Sequence, residues 1–192
     1  MFTHGLRGPV TATAIALASV FALSACAQGG AQASDGSGLS LRETKSIVQL
    51  LRNEVANRIP SEVVDSVGGT ADVSITCGIE ANDPKGYTRY WSSRIDVALT
   101  TGSSSLDVFD DLSASFKDQG WEVEDYTLGD APRAQQLTGG SSVASLSLSL
   151  FDSTATAPAL IRIEAHGPCV KTAGATSDEV KNLEAGSGDQ SH

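Results

Sequence analysis

The feature that most constrains the fold of this chain is a strict alternation of leucine and serine in its last third. Leu146, Leu148 and Leu150 alternate with serines over residues 145–150. Successive side chains of a β-strand point to opposite faces, so this segment predicts a strand with one apolar and one polar face. Sheets of such strands bury their apolar face against a second layer. The alternation therefore predicts a sheet covered on one side.

Two earlier segments predict an antiparallel hairpin. Residues 72–79 alternate strictly, and we expect their apolar set to face the core: Val73, Ile75, Cys77 and Ile79. After a turn at 82–86, residues 90–100 place a second apolar set on one face: Trp91, Ile95, Val97 and Leu99. Consecutive strands joined by a short turn pair in antiparallel fashion. Gly68-Gly69 is expected to break the chain before the hairpin.

Two segments predict amphipathic helices. Ser40 and Glu43 have the spacing of a capping box, and the helix that follows ends near Pro60. Its apolar stripe is Ile47, Leu51, Val55 and Ile59, widened by Val48. Ser104 or Ser105 can cap a second helix, which ends before Gly120. The stripe of this second helix is Leu106, Phe109, Leu112 and Phe116.

Strands at 121–128, 145–150 and 160–165, with a Gly-rich loop at 129–144, complete the order α-β-β-α-β-β-β. We predict an α+β domain with a mostly antiparallel sheet and helices packed on one face. The domain covers residues 40–170, a normal size for one core. Residues 171–192 are expected to form a disordered or weakly helical tail, in which Val180 and Leu183 mark at most one short helix.

The first 25 residues have the composition of an export signal. Arg7 is their only charged side chain, and residues 10–22 are uncharged and apolar. An apolar run of roughly 13 residues is too short to span a bilayer and suits the core of a signal peptide. Leu23-Ser24-Ala25-Cys26 follows. It resembles the lipobox of bacterial lipoproteins, whose cysteine receives a diacylglyceryl group. The alternatives are an ordinary secretory signal, with Cys26 there by chance, and a short buried helix.

The lipobox resemblance implies a mature chain that begins at Cys26 and is anchored to the membrane by lipid. Two acyl chains give stable anchoring, so we expect the domain on the extracytoplasmic face of the cell membrane. Residues 27–38 contain no apolar side chain larger than alanine. Residues 26–39 are therefore expected to be the lipidated cysteine and a flexible tether, with a root-mean-square span of roughly 20 Å.

Assigning Cys26 to lipid leaves two of the three cysteines, Cys77 and Cys169. Disulfides persist in an oxidising exterior, and these two cysteines predict one bridge between the first strand and the end of the last. A structural zinc site needs four ligands, and the only imidazole near this pair is that of His166. We therefore expect a disulfide and no metal.

Charge excludes one class of partner. The chain has 23 acidic and 13 basic side chains, a formal net charge of −10. Nucleic-acid binding relies on Lys/Arg clusters, so we expect no nucleic-acid partner. Asp107 and Asp111 are predicted to lie on the solvent side of the second helix, without the loop of a calcium site. Neither a P-loop nor an H-E-x-x-H motif is present, so no cofactor is expected.

One cluster suggests ligand contact, because aromatic rings stack on sugars or peptides and arginine clamps carboxylates. It comprises Tyr87, Arg89, Tyr90, Trp91 and Arg94. The alternative is that Trp91 belongs to the core and the tyrosines lie on the shoulder of the hairpin.

Catalysis has one candidate base, His166, which shares a strand face with Glu164. Nucleophilic catalysis needs a Ser or Cys beside such a base. The G-x-S-x-G elbow and the S-x-x-K pattern of penicillin-binding enzymes are both absent from the sequence. We expect a solvent-facing His–Glu pair, and an active site is the alternative.

Trp91, Gly120-Trp121 and Gly167-Pro168-Cys169, with the lipobox, resemble small actinobacterial cell-envelope lipoproteins. The resemblance covers most of the chain and implies an envelope location and a Cys-bridged α+β domain, with no catalytic residues to carry over. We expect a membrane-anchored lipoprotein whose domain is a non-catalytic module that binds an envelope protein, a wall polymer or a small ligand. The alternative is a hydrolase-like envelope enzyme that uses His166 with acidic residues.

Overall fold

The computed structural model describes residues 38–78, 82–139, 143–153 and 157–186. The predicted signal peptide, Cys26, most of the tether and Ile79 lie outside these residues. Three α-helices are described: α1 (Leu41–Ala56), α2 (Ser105–Lys117) and α3 (Asp178–Ala185), with a short 3₁₀ helix at Ser61–Val63. The strands are β1 (Val64–Thr76), β2 (Thr88–Leu99), β3 (Trp121–Asp125), β4 (Arg133–Gly139), β5 (Ser145–Phe151), β6 (Leu160–His166) and β7 (Val170–Lys171).

All strands described belong to one sheet. Its order is β1-β2-β6-β5-β4-β3, and β7 continues beyond β6 as a second partner of β2. Every pairing is antiparallel. With helices packed against this sheet, the predicted α+β class is confirmed.

The core lies between one face of the sheet and the helices. α1 crosses β2 and β6, with the Lys45 ammonium 4.7 Å from the centre of the Trp91 ring. α2 packs on β3 and β5, and the Phe116 ring meets the Trp121 ring edge-on at 5.3 Å. The leucines of the Leu–Ser repeat are fully buried on this face, as the alternation predicts.

Both predicted helix starts are confirmed. The Ser40 hydroxyl accepts from the Glu43 backbone N–H, and the Glu43 carboxylate accepts from the Ser40 N–H at 2.7 Å. Hydrogen bonds from the Ser40 N–H and the Ser40 hydroxyl to the Glu43 carboxylate lower the pKa of Glu43. At the start of α2, the Ser104 hydroxyl accepts from the Asp107 backbone N–H. The buried faces of α1 and α2 differ slightly from the predicted apolar stripes. In α1, Val48 is more buried than Ile47, and in α2, Leu106 is exposed.

Two expectations for the first strand are wrong. Gly68-Gly69 does not break the chain but lies inside β1, at a register shift that Gly69 accommodates with φ +59°. The apolar set of β1 also faces outward: Val73 is 44% exposed, whereas Ser74 is buried.

The side chains around β1 explain this reversal. Buried Arg52 and Arg89 and the Trp91 indole N–H all need acceptors on the core face. Asp72 accepts from the Trp91 indole at 3.2 Å and lies 3.4 Å from the Arg52 guanidinium. Ser74 and Thr76 accept from Arg89. These buried donors need hydrogen-bond acceptors, and this need determines which side of β1 faces inward.

The C-terminal half holds more regular structure than the sequence predicts. Strand β4 lies within the expected loop at 129–144, while β3 is shorter than predicted. The expected tail begins at Lys171, the last residue of β7, and α3 follows, with Val180 and Leu183 buried in the core. The tail packs because these two side chains lie three residues apart on one helix face. Residues 187–192 lie outside the described part of the chain.

The predicted disulfide is present. Cys77 follows β1 and Cys169 lies between β6 and β7, with their Cα atoms 6.1 Å apart. The expectation that Cys77 turns toward the core is wrong, because Cys77 follows the outward-facing set of β1. Cys77 is half-buried and Cys169 is exposed, so the bridge lies at the rim of the sheet.

Candidate functional site

The sheet face opposite the core carries a group of planar and hydroxyl side chains, which we call the polar face. Each member alternates along its strand with a buried core residue, as the burial patterns of β2, β5 and β6 show. Most of the members are half-buried, whereas the core-face leucines and Trp91 are fully buried. The polar face comprises Tyr90, Ser92 and Arg94 of β2, Glu164 and His166 of β6, Ser147 of β5 and Gln136 of β4.

The β2–β6 register brings the first part of the polar face together. Ser92 pairs with His166, and Arg94 pairs with Glu164. The Ser92 hydroxyl donates to a Glu164 carboxylate oxygen at 2.7 Å, diagonally between the two pairs. The predicted shared face of Glu164 and His166, opposite Ile163, is confirmed by their burial.

A second set of hydrogen bonds extends the group across β5 to β4. The Ser147 hydroxyl donates to the Gln136 amide oxygen at 2.8 Å and lies 3.3 Å from His166 Nε2. A hydroxyl has one hydrogen, so Ser147 accepts at the His166 contact. This arrangement fits the His166 tautomer that is protonated at Nε2.

Burial and Glu164 set the electrostatics of the polar face. Burial lowers the pKa of His166, and the negative charge of Glu164 opposes this shift. Burial raises the pKa of Tyr90, and Glu164 raises it further. The rings of Tyr90 and His166 meet edge-on with their centres 6.1 Å apart. At neutral pH the polar face thus presents a phenol and an imidazole beside one carboxylate.

The predicted ligand-contact cluster is divided between the two faces of the sheet. Tyr90 and Arg94 lie on the polar face, while Arg89 and Trp91 are buried on the core side. Tyr87 is exposed at the hairpin end, with the Lys85 ammonium 5.9 Å from its ring centre. The strand period explains the division, since neighbours along a strand point to opposite faces. The five residues do not form one site.

The arrangement lacks the proton path of a serine hydrolase. A nucleophilic serine must donate to its histidine base, whereas Ser147 donates to Gln136. Glu164, the nearest acid by sequence, accepts from Ser92. Within the described ranges, no group of three or more His, Cys, Asp or Glu side chains is placed to hold a metal ion.

Cavities elsewhere in the described domain include two that lie away from the polar face. One, of about 370 Å³, lies between α2 and the segment that follows α1, and is lined by Ile59, Val108 and Leu112 among others. The other, of about 500 Å³, is lined by Asp65, Thr100 and Pro158 among others. Among the described helices, none has the length and apolar character needed to cross a bilayer.

Searches against protein-family models, characterised protein sequences and solved structures each returned no significant match. The polar face is therefore characterised by its own chemistry. Sequence reasoning identified Tyr90, Arg94, Glu164 and His166 but missed the bonding partners Ser92, Ser147 and Gln136. The Leu–Ser repeat could have indicated Ser147, because its serines must lie on the sheet face opposite the buried leucines.

Proposed function

We propose that this chain is a lipid-anchored lipoprotein of the bacterial cell envelope, and that its domain is a non-catalytic binding module. The polar face is the observation that carries the binding role. Seven hydrogen-bonding side chains from four strands converge on the side of the sheet opposite the helices. Burying polar groups costs free energy unless they find partners, so a half-exposed network of this kind is suited to a polar ligand.

The lipobox-like sequence that ends at Cys26 supports the anchor and the extracytoplasmic location. The Cys77–Cys169 disulfide is compatible with an oxidising compartment.

Site-specific photocrosslinking in the native envelope tests the binding role. A benzophenone amino acid replaces Tyr90 on the polar face, and a matched chain carries it at Leu50, which is 70% exposed on α1. We expect a discrete crosslinked product from position 90 and none from position 50. Equal products from both positions, or none from either, would contradict a binding role for the polar face.

The anchor has a separate test. The intact mass of the mature protein extracted from membranes should exceed the peptide mass from residue 26 by a diacylglyceryl group. Cys26→Ser should release the protein from the membrane fraction. An unmodified Cys26 in the membrane-extracted protein would refute the lipid anchor without bearing on the polar face.

A hydrolase is the second candidate, because Ser147 lies 3.3 Å from His166 Nε2. Rotation of the Ser147 hydroxyl away from Gln136 would be needed to create a nucleophile–base pair. A fluorophosphonate probe distinguishes the two functions. The binding module predicts no labelling, whereas labelling that disappears in Ser147→Ala would establish the enzyme.

A further inference from the structure

We propose that the polar face binds a neutral carbohydrate chain. This inference rests on the proposed binding function and specifies its ligand class. Three properties carry it: the mixture of donors and acceptors, the balance of charge, and a half-exposed aromatic ring.

The polar face offers donors and acceptors in about equal measure. Among the described residues, no hydrogen-bond partner is found for the Tyr90 hydroxyl, and the Arg94 side chain makes one hydrogen bond, from Nε to the Gly69 carbonyl at 3.4 Å. The Gln136 amide uses its oxygen with Ser147, which leaves its NH₂ group to donate. Glu164 has acceptor capacity beyond the bond from Ser92. Each hydroxyl of a sugar can donate and accept hydrogen bonds, so a carbohydrate suits a surface that offers both donors and acceptors.

Charge selects against ionic ligands. Arg162 binds Asp96 through two hydrogen bonds, of 2.8 and 2.9 Å, at the edge of the polar face. Arg94 and Glu164 pair across β2 and β6 and balance each other in charge. Glu124 of β3 pairs in register with Gln136 on the same face, so the polar face carries a slight negative charge within a chain of net charge −10, which repels polyanions at long range. The carboxylate of Asp96 is already bound by Arg162, and that of Glu164 lies opposite Arg94, so these two acids do not form a site for a small cation.

Tyr90 adds the apolar contact that a sugar ring needs. Its ring is half-buried and held edge-on against His166, so part of its surface remains open beside the hydrogen-bonding groups. Aromatic rings combine an apolar surface with specific geometry, and sugar rings stack their C–H faces on them. From Tyr90 to Arg94 the polar face is roughly 13 Å long, and from β2 to β4 it is roughly 14 Å wide. This area matches a short oligosaccharide.

Ligand-observed saturation-transfer NMR on the full-length lipidated protein in nanodiscs tests the proposal. The neutral probes are cellohexaose, maltohexaose and hexa-N-acetylchitohexaose, and an oligogalacturonate hexamer is the anionic probe. We expect transfer to at least one neutral hexasaccharide and none to the anionic hexamer. Transfer to the anionic hexamer alone, or to none of the four, would overturn the proposal.

Substitutions then locate the binding. Tyr90→Ala and Glu164→Gln are each expected to weaken the neutral saccharide at least tenfold, and Tyr90→Phe less, because it keeps the ring. Glu62→Gln is the matched control, since Glu62 is exposed on the 3₁₀ helix, and should bind as the unchanged protein does. Unchanged affinity in both Tyr90→Ala and Glu164→Gln would place the saccharide elsewhere and refute the inference. A protein crosslinked from position 90, with no saccharide transfer, would leave the binding function standing and exclude the carbohydrate.

Discussion

Gly167 lies just after β6, under α1, where there is no space for a side chain. A Cβ atom at this position would overlap the Thr44 Cγ2 methyl and lie 3.4 Å from Val48 Cγ1. Thr44 is buried and β-branched, so its methyl cannot easily turn away. We expect Gly167→Ala to lower the free energy of unfolding by about 1–3 kcal/mol, measured by urea denaturation.

Two further variants identify the cause of this loss. A Cβ atom at Gly68 would meet nothing within 4 Å, so Gly68→Ala should change stability by less than about 0.5 kcal/mol. Removing the methyl with Thr44→Ser should recover part of the stability lost in Gly167→Ala. A Gly167→Ala protein as stable as the unchanged one would show that α1 does not approach the sheet this closely.

His166 couples stability to pH. Its pKa is lowered by burial from an ordinary value of 6.5, so the folded protein binds this proton less readily than the unfolded chain. The unfolded state then binds more protons, and stability falls as the pH drops below about 6.5. We expect the urea midpoint to decrease between about pH 7.5 and pH 5.5, with part of the decrease absent in His166→Gln. Identical pH profiles for the two proteins would contradict this role.

Helix α3 is part of the fold, and its contribution can be measured. Leu183 is buried in the core, and its carbonyl oxygen accepts from the Lys45 ammonium at 2.7 Å. We expect Leu183→Ala to lower the free energy of unfolding by about 2–5 kcal/mol, since it removes buried side-chain volume. Leu50→Ala, at a leucine that is 70% exposed, is the control and should cost less than about 0.5 kcal/mol. Equal losses of stability in Leu183→Ala and Leu50→Ala would mean that α3 is detached from the domain in solution.

The sequence predicts correctly those elements whose local pattern, such as the spacing of apolar residues, matches the contacts that the residues make in the fold. The Leu–Ser repeat of β5 and the capping box of α1 are examples. β4 was missed because its core-facing positions include Arg133 and Gln135, which hide the alternation. The Arg133 guanidinium pairs with Asp110 of α2 at 3.0 Å, and Gln135 donates to Asp125 at 2.9 Å. Partners of this kind come from other elements, so local sequence does not indicate them.

The same limit applies to the candidate site. The strand period places Glu164 and His166 on one face, and the sequence indicates this directly. Strand order is required to know that Ser92, from β2, and Ser147, from β5, flank that pair. The five-residue cluster was proposed from proximity along the chain, although strand geometry sends its members to opposite faces. The polar face is thus a property of the assembled sheet.

At the scale of the whole molecule, the Cys77–Cys169 bridge constrains nearly the entire sheet. It joins positions 92 residues apart, and β2 to β6 all lie between them. In the chain-entropy model, closing a loop of this length destabilises the unfolded state by about 4–5 kcal/mol. The double variant Cys77→Ser/Cys169→Ser should therefore lose up to about that free energy of unfolding.

Urea denaturation without reductant, on chains that keep Cys26, measures this loss. The slope of the free energy against urea should also increase in the double variant, because an unfolded chain without the bridge exposes more surface. The bridge lies at the rim of the sheet, so the folded state should keep its far-UV circular dichroism. A loss below about 1 kcal/mol with an unchanged slope would mean that the unfolded chain is already compact without the bridge. The stability of the domain would then come from the core beneath α1 and α2 rather than from the disulfide.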